Sequence, residues 1–260
     1  AQELRQQLLD NGCRFRGTSD TEVMLEAFCH WGIETTVKQL IGMFAIALWD
    51  CEARRLWLIR DRLGIKPLYF GSVDDRFFFA SELKALRTVS GWKPEVDRDA
   101  VAGFLRFNYI PAPRSIYQNV FKLPPGSLLS LRPGEDPAVA RYWTMADVIR
   151  QERTEVTDEW AIGAAEGLMR DAIRRRMVAD VPLGALLSGG VDSTTVAALM
   201  QAESDAPIRT FTVGFENTVF DEAEDARTVA AHIGSDHTEL YLSANRARDL
   251  IPQLPDWYDE

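Results

Sequence analysis

The stretch Ser188-Gly189-Gly190-Val191-Asp192-Ser193 gathers residue types that handle phosphate into one short segment. The run before it, Val181 to Leu187, reads as a short buried strand, and the run after it, Thr194 to Ala202, reads as a helix. A loop that leaves a strand and opens a helix presents free backbone N–H groups and the positive end of the helix dipole, and so makes an anion site. Gly189 and Gly190 let the main chain come close to phosphate oxygens, while Ser188 and Ser193 add hydroxyl donors. Asp192 is repelled by a polyphosphate unless a cation lies between them. It therefore implies Mg²⁺, held through pyrophosphate oxygens by one carboxylate and retained waters. The competing reading is an ordinary strand-to-helix turn with Asp192 or Ser193 as the N-cap. No lysine followed by Ser or Thr closes the loop, so the lysine that reaches β/γ-phosphates in Walker loops has no counterpart, which argues against γ-phosphoryl transfer.

The elements that must position this loop follow from periodicity. Helical spacing from Asp158 to Val178 runs through Ile162, Ala165, Leu168, Met169, Ile173 and Met177, with Thr157 as the expected cap. After the loop come a strand at Ile208 to Phe215, a helix at Asp221 to Ile233 opened by Asp221 and Glu222, and a strand at His237 to Leu242. Alternating strands and helices indicate a parallel α/β sheet. The first half is richer in β-structure. Thr21 to Trp31 spaces Val23, Met24, Ala27, Phe28 and Trp31 on one helical face. Phe44 to Asp50 and Arg55 to Asp61 read as antiparallel strands turning at Cys51 to Arg54. Arg76 to Ser81 is a further strand, and Ser81 caps a helix over Ser81 to Leu86. Prolines and glycines thicken from about Gly91 to Tyr142, the texture of a connector with short elements.

With 260 residues, 46% hydrophobic and 26% charged, the chain has material for about two domains with a real core. A net charge of −10 with no basic run is poorly suited to a nucleic-acid groove. The apolar run Gly42 to Trp49 falls far short of a membrane span. Cys13, Cys29 and Cys51 are odd in number and form no CxxC pair, so no disulfide framework or zinc site is expected, and a reducing cytoplasm fits. His30, His232 and His237 lack ligand spacing and are expected to be structural or exposed.

SGGVDS resembles the loop of the ATP-pyrophosphatase (PP-loop) family, whose members cleave ATP to AMP and pyrophosphate and adenylate a substrate. Around it, FRGTSDTEV, GMFAIALWD, RDRLGIKPLYF, FASELKAL, PAPRSIYQNVFKLPPG, RYW and FTVGF occur in the order seen in glutamine-hydrolysing asparagine synthetases. The chain resembles that family over nearly its whole length. The resemblance implies an α+β Ntn-hydrolase (αββα) glutaminase domain over residues 1–142, with a connector from about 91, followed by an α/β parallel-sheet PP-loop domain over 143–260. It implies a carbon–nitrogen ligase with glutamine as amido-N donor. ATP activates aspartate as β-aspartyl-AMP, and ammonia released from glutamine displaces AMP to give asparagine, glutamate and pyrophosphate. The implied cofactors are ATP and Mg²⁺, and the partners are small molecules (glutamine, aspartate and ATP), with no nucleic acid, no membrane and a homodimer as the typical assembly.

Residue roles carry over by motif. Asp20 matches the position whose carboxylate binds the α-amino group of glutamine, a charge-assisted contact. Ser19-Asp20-Thr21-Glu22 also reads as an S-x-x-E capping box, and both roles are compatible. Ser188, Gly189, Gly190, Asp192 and Ser193 fall in the ATP loop. Leu187 and Val213 match residues set against adenine, with core packing as their competing reading, and Gly214 permits close approach. Arg60, Asp61, Arg62 and Lys66 are expected as a buried or interfacial ion-pair cluster.

The family's N-terminal nucleophilic Cys has no match here, since residue 1 is Ala. The second ATP segment would lie past Glu260. Both active sites are therefore expected to be incomplete, and the piece truncated at both ends and inactive alone. Two other classes stay open: a β-lactam-synthetase-like relative acting on another carboxylate, and a non-catalytic binding fragment. Retention of Asp20 favours the synthetase. In a full-length version, Asp20→Ala should raise the glutamine KM and leave ammonia-dependent synthesis intact; unchanged glutamine kinetics would remove Asp20 from the site.

Overall fold

The structure, a computed structural model, describes residues 2–74, 76–151, 155–215 and 221–260. The chain forms two compact units, residues 1–151 with 258–260, and residues 152–257.

In the first unit, α1 (Gln2–Asp10), α2 (Asp20–Trp31) and α3 (Ile33–Gln39) precede β1 (Ala45–Asp50), β2 (Arg55–Arg60), β3 (Tyr69–Val73) and β4 (Arg76–Ala80). A 3₁₀ turn (Leu83–Thr88), α4 (Arg98–Phe107), β5 (Val120–Lys122), β6 (Ser127–Leu131), β7 (Ala138–Arg141) and α5 (Met145–Ile149) complete it. The strands make two antiparallel sheets, β1-β2-β6-β7 and β4-β3-β5. Period-2 alternation decides which side chains face where. Leu58 and Leu129 point between the sheets to meet Leu68, Phe70 and Leu123. Their neighbours Ile59 and Leu128 point outward to meet Phe28 and Val37 of α2 and α3. On the far side, Tyr69, Phe78 and Val120 pack on Leu83 and Leu86. The order is helices, sheet, sheet, and a 3₁₀ turn with loop residues where a helical layer was expected.

The strands read from sequence at β1, β2 and β4 are present, and β1 pairs with β2 from Ala45↔Arg60 to Asp50↔Arg55. The proline-rich stretch after Gly91 is a correction. It holds β5, β6 and β7, and β6 sits between β2 and β7 inside the first sheet. Its prolines lie between strands, where the missing N–H costs no ladder bond. Ser81 is not a cap: Glu82 occupies that position without a side-chain bond, and the carboxylate of Asp259 accepts from Leu83 and Lys84 N–H instead.

The charged run after β2 also differs from the expected ion-pair cluster. Asp61 is 1% exposed and accepts from the N–H groups of Phe44 (3.3 Å), Leu63 (3.2 Å), Ile65 (2.9 Å) and Lys66 (2.9 Å). Arg60 is 9% exposed and donates to the carbonyls of Lys66 (2.9 Å), Leu123 (2.7 Å) and Gly64 (2.8 Å). Burial pushes the Arg60 pKa down. Both charges are neutralised by backbone dipoles because a tight loop supplies amides and carbonyls nearer than any opposite charge. Arg62 donates to the Lys38 carbonyl, and Lys66 itself is exposed. Gly64 holds a left-handed φ of 66°, and a Cβ there would stand 2.8 Å from Pro125 and 3.1 Å from the Arg60 guanidinium.

The second unit comprises α6 (Asp158–Arg176), β8 (Gly184–Leu186), α7 (Val191–Ala202), β9 (Arg209–Phe215), α8 (Ala223–Ile233), β10 (Asp236–Leu242), α9 (Ala244–Leu250), a 3₁₀ turn (Ile251–Gln253) and α10 (Leu254–Trp257). The sheet is parallel, in the order β10-β9-β8. Leu187, Ala197, Ile208, Ala226 and Ala230 form its core against α7 and α8. The strand expected over Val181 to Leu187 is shorter and is buried only at its end, with Leu186 79% and Leu187 2% exposed. The opposite sheet face, carrying Leu186, Phe211, Val213 and Leu240, is open. Along α6 only Ile173 of the expected apolar stripe is buried, while Ile162 and Leu168 are exposed. This helix packs on α7, where Arg170 and Arg174 both bind Glu203. Among the described residues no helix is long and apolar enough to cross a membrane.

Asp61→Ala should lower stability by on the order of 3 kcal/mol, because four N–H groups lose the buried carboxylate that accepts from them, whereas exposed Lys66→Ala should shift it by less than about 0.5 kcal/mol. Urea denaturation midpoints measure both, and equal effects would refute the tether.

Candidate functional site

In the second unit, the chain leaves β8 through Leu187, whose N–H donates to the Phe211 carbonyl at 2.9 Å and whose own carbonyl accepts from the Thr212 hydroxyl. Leu187 is thus a core residue with both backbone groups engaged. Gly189 then takes a left-handed φ of 78°, and a Cβ there would lie 2.6 Å from the Asp225 Cβ and 3.0 Å from the Ala226 nitrogen. The first turn of α8 is pressed directly onto the loop, and only glycine fits beneath it.

The loop closes on its own hydroxyls. Ser188 Oγ and Ser193 Oγ are 3.0 Å apart, Ser188 N–H donates to Ser193 Oγ at 3.2 Å, and Ser193 Oγ–H donates to the Gly190 carbonyl at 3.2 Å. The helix begins at Val191, three residues earlier than periodicity suggested, so Asp192 and Ser193 lie in its first turn. Its N-cap is Gly190, with no side-chain cap bond. This overturns the reading of Asp192 or Ser193 as the cap. The amides of Gly189, Val191, Asp192 and Ser193 carry no hydrogen bond among the described residues. An uncapped helix end with several unused donors is suited to a multiply charged anion.

Asp192 is exposed at this helix start and makes no bond among the described residues. No group of three or more ligating side chains occurs among them either, so a cation here would take one carboxylate together with anion oxygens and water.

Val213 and Gly214 lie at the carboxyl end of β9. Val213 is 45% exposed on the open face, and Gly214 points to the helix side. A Cβ at Gly214 would meet the Tyr241 ring at 2.7 Å and Asp221 Oδ1 at 3.0 Å, so the space beside it is filled by this chain's own side chains. Asp221 lies two residues ahead of α8 rather than opening it, and its carboxylate accepts from Ala223 N–H (3.2 Å) and Phe215 N–H (3.3 Å). Arg227 grips Glu239 through two bonds of 2.7 and 2.6 Å and holds the Glu239 pKa at about 2. Periodicity missed this clip, since its two members lie on different elements. His237 is half-buried, with Nδ1 2.8 Å from the Thr210 hydroxyl, a structural role as expected; His30 and His232 are exposed.

In the first unit, Asp20 is the first residue of α2 and its exposed side chain makes no bond among the described residues. Ser19 is the N-cap and accepts from Thr21 N–H at 3.2 Å. Ser19 caps the helix, but neither reciprocal bond of the expected capping box with Glu22 forms. The Glu22 carboxylate reaches past Ser19 to the N–H groups of Arg16 (2.7 Å) and Gly17 (2.8 Å), and these bonds lower its pKa. The box fails because the backbone doubles back at Arg16 and Gly17 and offers a closer pair of donors. The result is a pinned loop, and Arg14, Phe15, Arg16, Glu22 and Glu26 line a cleft of about 650 Å³ to which Asp20 does not contribute. All three cysteines are free, with Cys29 and Cys51 exposed.

Residues 1–143 match the family model described as a glutamine amidotransferase domain, and residues 164–260 match the one described as asparagine synthase. The chain is 32% identical over 258 residues to a glutamine-hydrolyzing asparagine synthetase 1 of Bacillus subtilis (strain 168), covering 99% of this chain and 40% of that protein. It is 34% identical over 263 residues to a putative glutamine-hydrolyzing asparagine synthetase of Mycobacterium bovis, again covering 99% and 40%. The chain therefore spans about two fifths of the length of these curated relatives. A glutamine phosphoribosylpyrophosphate amidotransferase structure from B. subtilis covers 92% of this chain and 58% of that one, at 15% identity and a TM-score of 0.42, too loose a likeness to bear weight.

Gly189→Ala should destabilise the second unit by about 1–3 kcal/mol, from left-handed strain and the clash with Asp225. Gly190→Ala, with φ −70° and its nearest neighbour at 3.4 Å, should cost less than about 1 kcal/mol. Thermal unfolding of the two variants measures the contrast; equal shifts would show that α8 does not bear on the loop.

Proposed function

The chain belongs to the glutamine amidotransferase domain family, and from that premise we propose that it is part of a glutamine-hydrolysing asparagine synthetase. Glutamine is the nitrogen donor, ATP activates the aspartate carboxylate, and ammonia completes the amide, leaving AMP, pyrophosphate and glutamate. The observation that carries this is the presence, in one chain, of an amidotransferase domain and a helix-opening loop with four unused amides.

Residues 1–142 act as the glutaminase part, of the Ntn-hydrolase type, and 143–260 as part of the PP-loop domain. Asp20 receives the glutamine α-ammonium group, for which its unpaired, exposed carboxylate is chemically suited. The Glu22 bonds to Arg16 and Gly17 keep the approach to it rigid.

In the ATP site, Ser188, Gly189, Gly190 and Ser193 hold the phosphates, the amides acting as fixed dipoles aimed at charge that grows on the departing pyrophosphate. The hydroxyls of Ser188 and Ser193 bond each other and can exchange that bond for a phosphate oxygen. Leu187 and Val213 border the adenine, with Leu187 acting through the strand end that its packing holds in place, while Gly214 gives its close approach to Tyr241 rather than to the ligand. Asp192 is the residue suited to Mg²⁺, which when bound neutralises pyrophosphate charge. A carboxylate is a poor electrophile until one oxygen belongs to a good leaving group, hence adenylation. Exclusion of water then protects the activated acid for ammonia. The intact enzyme works on small molecules in a reducing cytoplasm, as a homodimer.

Isotope exchange between pyrophosphate and ATP in the full-length protein tests the function. Exchange should require aspartate and fall on the order of a hundredfold in Asp192→Ala, in line with the loss of the carboxylate suited to the cation that neutralises the departing group. Exchange that instead depends on another carboxylic acid would overturn the named acceptor.

A further inference from the structure

We propose that Tyr241 is a stacking platform for the nucleobase, held in place by the Arg227–Glu239 clip, an inference that rests on ATP binding at the loop of the second unit. Three observations on different elements converge on it.

The first is register. Tyr241 pairs with Gly214 in the β10–β9 ladder, while Leu186 pairs with Phe211 in the β8–β9 ladder. Leu187 is level with Thr212, whose hydroxyl it receives, so the loop departs from β8 at the level of Val213 and Gly214. Tyr241 therefore stands at the same height as the phosphate loop, two strands away, a separation of roughly 10 Å. The α-phosphate and ribose of a nucleotide together span a gap of that order between the pyrophosphate and the base.

The second is the state of the ring. It leans on the Gly214 main chain, where a Cβ would stand 2.7 Å from Tyr241 Cε1, yet the residue stays 47% exposed. A phenol at the carboxyl edge of a parallel sheet, half open to solvent, presents a π-face on the side where ligands enter such folds.

The third is how firmly it is held. Its hydroxyl donates to Glu239 Oε2 at 3.1 Å and accepts from Arg227 Nη2 at 3.1 Å. Arg227 in turn bonds both Glu239 oxygens. It sits two residues beyond Asp225, whose Cβ would touch a side chain at Gly189. The same helix, α8, thus meets the loop through Asp225 and the ring through Arg227, on two of its sides. An aromatic side chain with both ends fixed loses little freedom when a base stacks on it.

The test uses the full-length protein in pyrophosphate–ATP exchange, with Tyr241→Ala and Tyr241→Phe, and with inorganic tripolyphosphate as a competing anion that has no base. Tyr241→Ala should raise the KM for ATP on the order of tenfold, in keeping with one lost stacking contact, with kcat nearly unchanged and tripolyphosphate inhibition unaltered. Tyr241→Phe keeps the ring and loses only the hydroxyl bonds, so its KM should rise by no more than about threefold. An unchanged KM in Tyr241→Ala would overturn the platform. So would equal weakening of ATP and tripolyphosphate, the pattern of a disturbed sheet edge. If the unaltered protein showed no exchange at all, ATP use itself would fall and the platform with it.

Discussion

Asp61 is the constraint on which the first unit turns. Its buried carboxylate collects four main-chain N–H groups, from Phe44 ahead of β1 and from the Leu63 to Lys66 turn. Arg60, one residue earlier, spreads three bonds over carbonyls of that turn and of Leu123 ahead of the Pro124-Pro125-Gly126 loop. The Asp61 carbonyl accepts from Gly126, and the Arg60 carbonyl from the Tyr142 hydroxyl. Burial raises that phenol to about 12, so it keeps its proton and its bond. A single dipeptide thereby ties the end of β2, the start of β6 and the end of β7. Burying these charges is costly, and it is tolerated because nearly every donor and acceptor on them is satisfied.

The second unit relies on close approach instead. Glycine at 189 lets the first turn of α8 rest on the phosphate loop, and glycine at 214 lets Tyr241 lie against β9. In both places a missing Cβ lets a neighbouring element come into direct contact with main chain. The Arg227–Glu239 pair gains little from charge at an exposed site. Its value is geometric, since a bidentate guanidinium holds α8 to β10 at one angle. Helix, loop and ring are thereby held at a fixed spacing.

Much of this was legible along the chain. Strands β1, β2 and β4 and helix α2 announce themselves by period, and the parallel sheet by the alternation of its elements. What was misread has a common cause. Ser81 was expected to cap a helix, Glu22 to return to Ser19, and Arg60 to pair with Asp61, each on the assumption that the nearest partner in sequence is the partner in space. In each case a group brought close by folding took its place: Asp259 at the turn after Ser81, the Arg16 and Gly17 amides at Glu22, and loop carbonyls at Arg60. The proline-rich stretch looked like a connector because β5 to β7 are short, and short strands carry too few alternations to register.

The amino-acid sequence by itself determined the chemistry on offer: a hydroxyl- and glycine-rich anion loop with one carboxylate, and a separate aspartate at a helix start. Residue types and local spacing suffice for that, because an N-terminal turn of a helix exposes its amides wherever it stands. Only the tertiary structure decided which of those amides stay unused, that Leu187 spends its backbone on β9, and that Tyr241 shares a level with the loop. Those outcomes depend on strand register and on contacts between α8 and the sheet, and no local pattern encodes a distance between elements separated by dozens of residues.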